Sequence, residues 1–167
     1  MKRFFLKTKR IVVRNFKLKD INKEYQSWFD GSNENLKFSR HYKKKYNRNA
    51  LINNLKKFLN SKNIFLGIFD VATKEIIGTI TVYINNKTKI GDLGIFIGNK
   101  IFFSRGYAIE SCQIVIKFII KEKIVNYIIS GTKNENIKMI NLMKKLKMRK
   151  MRKKNTYNTY YMIGKLN

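Results

Sequence analysis

Between Glu75 and Ile84 the chain alternates. Ile76, Gly78, Ile80, Val82 and Ile84 fall on one side, and Ile77, Thr79, Thr81 and Tyr83 on the other, which predicts a strand. Shorter apolar runs at Ile11–Val13, Asn63–Phe69, residues 92–98 and Val125–Ser130 predict four more. Helical spacing appears elsewhere. Asp20 is placed to cap a helix running to Phe29, with Ile21, Tyr25 and Trp28 on one face. Asn49 is placed to cap a second, with Leu51, Leu55, Phe58 and Leu59 as its stripe. Ala108, Cys112, Val115 and Ile119 define a buried helix ending near Lys121. Asn134 or Asn136 opens a basic one carrying Met139, Ile140, Met143 and Leu146. Asn85-Asn86-Lys87 has hairpin-turn chemistry, residues 31–49 carry no clear period, and the tail from Met148 to Leu166, with Tyr157, Tyr160 and Tyr161, reads as a final hairpin. The predicted order is β-α-α-β-β-β-α-β-α-β-β, an α/β fold with a mixed sheet flanked by helices. No linker, repeat or composition break divides the chain, so one domain over residues 1–167 is expected.

Composition removes several classes. No apolar run reaches the roughly 18 residues a membrane helix needs. The apolar part of Met1-Lys2-Arg3-Phe4-Phe5-Leu6-Lys7 is too short for a signal peptide. The single cysteine, Cys112, has no disulfide partner and falls on an apolar helix face, so it reads as a core residue. A cytoplasmic protein without a metal site is the expectation. The net charge of +27 raises nucleic-acid binding. However, 29 of the 37 basic residues are Lys, Ile and Asn are abundant, Ala is scarce and Pro is absent. That is the pattern of an A/T-biased genome. A nucleic-acid module would cluster Arg and aromatics on one sheet face, whereas the Lys here is diffuse.

The chemistry concentrates at Ser104-Arg105-Gly106-Tyr107-Ala108, between the strand-like Leu93-Gly94-Ile95-Phe96-Ile97-Gly98 and the apolar helix. A strand, a tight turn and a helix N-terminus aim several backbone N–H groups at one point, which suits a phosphate. Further residues surround this turn. Asp92-Leu93-Gly94-Ile95 precedes it, Phe103 opens it and Glu110 follows two positions later. Asn136 and Lys145-Leu146-Lys147-Met148 come at the start and end of the last large helix. In this set the chain resembles the GCN5-related N-acetyltransferase (GNAT) family over nearly its whole length. It is closest to the branch that acetylates ribosomal-protein N-termini and surface sugars. It departs in carrying Ser104 where the first turn Gly is usual, and Lys147-Met148 where Gly-Phe is usual. It also carries Met143 where many members place a Tyr as general acid, and Met139 where others place a Ser.

The resemblance implies acetyl-CoA as co-substrate and transfer of its acetyl group to a primary amine. Backbone N–H groups of Arg105, Gly106, Tyr107 and Ala108 would meet the pyrophosphate, with Ser104 in the same turn and Gly106 allowing close approach. The peptide-like pantetheine arm would pair with a strand edge at Phe96 and Ile97, where an N–H can stabilise an oxyanion. Asn136 would bond a pantetheine amide, a role compatible with capping its helix. Asp92 is either the general base or a strand-end residue. Glu110 reads more simply as a first-turn carboxylate favoured by the helix dipole. The proton donor is unassigned.

For the acceptor, Tyr25, Trp28, Phe38, Arg40, His41 and Tyr42 are candidates. Aromatics stack on a sugar or base, and an Arg grips a diphosphate. A nucleotide-linked amino sugar is therefore the expected substrate, and a ribosomal-protein N-terminus the alternative. No specific nucleic acid or membrane partner is implied, and a homodimer is compatible.

Overall fold

The computed structural model describes residues 3–152 and 157–164. Strands β1 (Phe5–Lys7) and β2 (Ile11–Asn15) lead into helices α1 (Lys23–Ser27) and α2 (Arg48–Leu59). Strands β3 (Ile64–Asp70), β4 (Ile76–Asn85) and β5 (Ile90–Ile97) follow, then α3 (Tyr107–Lys121), β6 (Tyr127–Lys133), α4 (Ile137–Lys145), β7 (Arg149–Lys150) and β8 (Asn158–Ile163). This is the expected mixed α/β order with one more strand, β1, whose three residues sit among Lys and Arg and carry no period of their own. The eight strands form one sheet in the order β1-β2-β3-β4-β5-β6-β8-β7. Every neighbouring pair is antiparallel except β5 and β6. These two are joined by the α3 crossover that a parallel pair requires.

Two apolar clusters cover the two faces. On one, α3 and α4 pack Cys112, Val115, Ile119 and Met143 against Val13, Leu66, Ile80 and Ile128, all completely buried. Burial pushes the Cys112 thiol up to about 12, so it is inert packing. On the other, α1 and α2 pack Tyr25, Trp28, Phe29, Leu51 and Leu55 against Phe16 and Ile76.

Several local expectations shift. Asp20 does not cap α1. It lies in a short 3-10 turn, buried, with its carboxylate accepting hydrogen bonds from Arg14 Nη1 and Nη2 (2.7 and 2.8 Å) and from the Lys17 N–H. Asn22 caps α1 instead, and Asn47 rather than Asn49 caps α2, each accepting the N–H three residues on. Asn136 caps α4. The alternation in β4 breaks once. Ile68 pairs with Gly78 and Phe69 with Ile76, so Ile77 is an extra residue in the strand. The bulge sends Ile77, with Ile80 and Val82, to the α3 face and Ile76 to the α1 face. The tail hairpin is present as β7 and β8, while residues 153–156 and 165–167 lie outside the described residues.

Candidate functional site

The small-residue turn sits against the sheet at the start of α3. Gly106 is its N-cap residue, in the left-handed region at φ 83°. Ser104 is left-handed too, at φ 58°, where a side chain is disfavoured and Gly is not. Among the described residues, none accepts a hydrogen bond from the N–H of Gly106, Tyr107, Ala108 or Ile109. These are the orphan donors of the helix start, backed by its dipole. A Cβ at Gly106 would meet Arg10 Nη2 at 3.6 Å and Ile109 Cγ2 at 4.0 Å, so backbone conformation and not crowding favours glycine there.

Beside the turn the sheet opens. β5 and β6 pair at Ile90–Tyr127, Gly91–Ile128 and Asp92–Ile129, and there the ladder stops. One residue on, Ser130 Oγ donates to the Leu93 carbonyl at 2.8 Å. Beyond it the two strands part. The β4–β5 register runs without a shift, and Gly98 N–H donates to Ile77. The backbone groups of Gly94 and Phe96 therefore face β4, while those of Ile95 and Ile97 face the open edge. The expected edge at Phe96 and Ile97 is thus corrected to Ile95 and Ile97. Phe96 contributes its ring, which packs on Trp28 and Phe29. Across the gap, Asn136 Oδ1 accepts the Met139 N–H at 3.2 Å and its Nδ2 donates to Thr132 Oγ1 at 2.8 Å. Thr159 Oγ1, opposite Thr132 on the ladder, is buried with no partner among the described residues.

A cavity of about 770 Å³ runs from this gap across the α1–α2 face. Leu93, Gly94, Ile95, Gly131, Thr132, Asn136 and Met139 line its gap end. Its other end is aromatic and basic, with Phe29, Phe38, Tyr46, Phe58 and Tyr83 beside Arg40, His41, Lys44 and Lys57. No carboxylate among the described residues lines it. Arg40 Nη2 donates to the Tyr83 hydroxyl at 3.0 Å, and His41 Nδ1 shares a 2.9 Å hydrogen bond with the Tyr46 hydroxyl. Burial, then the charges of Arg40 and Lys44, hold His41 below its ordinary value of 6.5. At neutral pH the positive charge of the cavity therefore belongs to Arg40, Lys44 and Lys57.

The structure thus brings Arg40, His41, Phe96 and Asn136 to one cavity. It does not bring Trp28 or Tyr42 there. Trp28 is 2% exposed, its indole N–H donates to Glu24 at 2.9 Å, and its ring packs against Gly98, where a Cβ would come within 2.0 Å of it. Tyr42 donates to Glu34 at 2.9 Å, which raises its pKa. Burial raises the pKa of Tyr25 as well, which disfavours it as a proton source. Asp92 is exposed and outside the cavity lining. It sits on the last rung before the strands part, directly across β4 from Tyr83. Met143 is completely buried, so at that position α4 presents only core packing.

Sequence reasoning missed Ser130, Lys44, Lys57 and Tyr83. It also missed a clamp behind the turn, formed by Thr8 and Arg10. Glu110 accepts from Thr8 Oγ1 at 2.5 Å and from Arg10 Nε at 2.8 Å. A Thr-x-Arg just ahead of a strand was the available signal, hidden among surrounding Lys.

A family model described as an acetyltransferase (GNAT) domain matches residues 10–149. Among solved structures, a GNAT-family acetyltransferase from Bacillus anthracis is 22% identical, with a TM-score of 0.78 covering 96% of this chain and 98% of that one. An acetyltransferase from Agrobacterium tumefaciens is 15% identical, with a TM-score of 0.76 covering 99% and 96%. Ribosomal-protein-S5-alanine acetyltransferase from Vibrio fischeri is 13% identical, with a TM-score of 0.75 covering 96% of each chain. At these identities the likeness is one of fold. No curated protein sequence matches the chain.

Proposed function

The chain belongs to the GNAT acetyltransferase family, and from that premise we propose that it acetylates the amine of a nucleotide-linked amino sugar. The observation that carries this reading is the acceptor end of the cavity, lined by Arg40, Lys44 and Lys57 together with aromatics and without a carboxylate. Cations and rings suit a diphosphate joined to a sugar and a base. The same charges would repel a lysine-rich peptide.

The residues fit acetyl-CoA, the acetyl donor of this family. Open N–H groups at Gly106 to Ala108 suit its pyrophosphate. The open backbone edge at Ile95 suits its peptide-like arm; further along, the Ile97 carbonyl accepts Asn35 Nδ2 at 3.4 Å, and Asn136 and Thr132 supply polar contacts across the gap. Bound there, the thioester supplies an activated acetyl carbon.

The protein must then deliver a neutral amine. An ammonium of pKa about 8 to 10 is mostly protonated at pH 7. The cations around the cavity disfavour its charged form and so lower its pKa. Asp92, on the last rung before the gap opens, takes the proton directly or through a water. Arg40, held by Tyr83, orients the anionic part of the acceptor.

The test is release of free thiol from acetyl-CoA at moderate salt, with nucleotide-linked amino sugars, free amino sugars, peptides and polyamines as acceptors. Turnover with the nucleotide-linked amines is expected. Turnover confined to peptide N-termini would overturn the proposed acceptor.

A further inference from the structure

Arg10 touches the phosphate turn from behind with its whole guanidinium. Its Nη1 donates to the Arg105 carbonyl at 3.1 Å. Its Nε donates to Glu110 at 2.8 Å, and its Nη2 pairs with the same carboxylate. Its Cζ lies 4.6 Å from the centre of the Tyr107 ring. One side chain therefore contacts residues 105, 107 and 110, on both sides of the left-handed Gly106.

Arg10 is itself fixed. Thr8 Oγ1 accepts the backbone N–H groups of Arg10 (3.2 Å) and Ile11 (3.1 Å), and spends its single proton on Glu110 at 2.5 Å. The Arg10 carbonyl accepts the Val71 N–H at 2.8 Å, which ties the β1–β2 turn to the β3–β4 turn. Glu110 is thereby neutralised. An unpaired carboxylate in the first turn of α3 would oppose an anion at the same helix end.

The geometry assigns Arg10 as a positioning residue, clamped by Thr8 and Glu110, that holds the 104–108 turn in its phosphate-binding conformation. A guanidinium is needed because one planar group must serve a carboxylate and a carbonyl while stacking on a ring. The inference rests on reading the turn as the pyrophosphate site. It adds that the site's shape is imposed from the β1–β2 hairpin, about a hundred residues away in sequence.

Calorimetry with two probes separates the claims. Acetyl-CoA carries the pyrophosphate, and S-acetylpantetheine does not. Wild type should bind acetyl-CoA more tightly, and that difference tests the reading of the turn. Arg10→Ala should weaken acetyl-CoA binding by about tenfold to a hundredfold, the range for lost hydrogen bonds to a charged group. It should leave S-acetylpantetheine binding within about twofold. Arg10→Lys should not rescue, because an ammonium keeps the charge and loses the fork. The Arg10 side chain is 46% exposed, so the melting temperature should move little. Equal weakening for both probes, or full rescue by Lys, would overturn the clamp. No difference between the probes in wild type would overturn the pyrophosphate reading, and the clamp with it.

Discussion

Ser130 Oγ donates to the carbonyl of Leu93 at 2.8 Å, one residue past the last backbone rung between β6 and β5. Both residues are almost wholly buried, Ser130 at 1% and Leu93 at 2% exposure. The hydroxyl takes over from the ladder at the point where the strands part, so the gap can open without stranding a carbonyl. Ser130→Ala should destabilise the protein by about 1–3 kcal/mol, the cost of an unpaired buried acceptor. The shift in urea midpoint measures it. A midpoint within error of wild type would mean that the carbonyl finds another donor.

Ser104 and Gly106 are both left-handed, yet only one is a glycine. A left-handed L-residue costs about 1–2 kcal/mol, offset in part by the extra freedom glycine brings to the unfolded chain. Ser104→Gly should therefore stabilise by up to about 1 kcal/mol and leave acetyl-CoA affinity equal or better. Thermal melting and calorimetry report the two effects. Loss of affinity would show that the Ser104 hydroxyl contributes to binding.

Arg40 should act on the acceptor and not on the acetyl donor. Arg40→Ala removes a cation from the cavity and the hydrogen bond to Tyr83. The acceptor KM should rise about tenfold for a diphosphate-bearing amine, with the acetyl-CoA KM held within about twofold. An equal rise for an uncharged amino sugar would argue that Arg40 only shapes the wall.

His41 should mark the acid side of stability. Its pKa is depressed by burial and by Arg40 and Lys44, with the Tyr46 hydroxyl and the Phe29 ring against it. Because the folded pKa lies below 6.5, the unfolded chain binds the proton more readily as pH falls. The stabilising contribution is complete above about 6.5 and is lost as pH drops through the folded value. His41→Gln should therefore lose less melting temperature than wild type between pH 7 and pH 5. Identical losses would place the depressed pKa elsewhere.

Much of this was readable along the chain, and the exceptions have physical causes. The α3 stripe, the order of elements from β2 onward and the turn at residues 104–108 declare themselves through periodicity and small residues. The bulge at Ile77 does not, because Ile-Ile-Gly fits either face until the register with β3 is known. The sequence alone suggests that Phe96 and Ile97 share an edge. Neighbouring residues in a strand point their backbone groups oppositely, and only the pairing shows which one faces outward. The spacing of Trp28 fits a core residue as well as an acceptor contact, and the structure makes it core, because Gly98, seventy residues away, leaves room for its ring. The Thr8–Arg10–Glu110 clamp joins residues about a hundred apart, beyond any local pattern.

The measurement closest to the centre of the account is calorimetric titration of acetyl-CoA into wild type and Gly106→Val, at salt high enough to screen a +27 surface. A Val at φ 83° strains the turn, and its branched side chain, whose Cβ would meet Arg10 Nη2 at 3.6 Å and Ile109 Cγ2 at 4.0 Å, pushes on the contacts that hold the N–H groups in place. Wild type should show saturable one-site binding, and Gly106→Val, folded by its melting curve, should show none. Equal binding by both proteins would contradict the account and assign the affinity to diffuse surface charge.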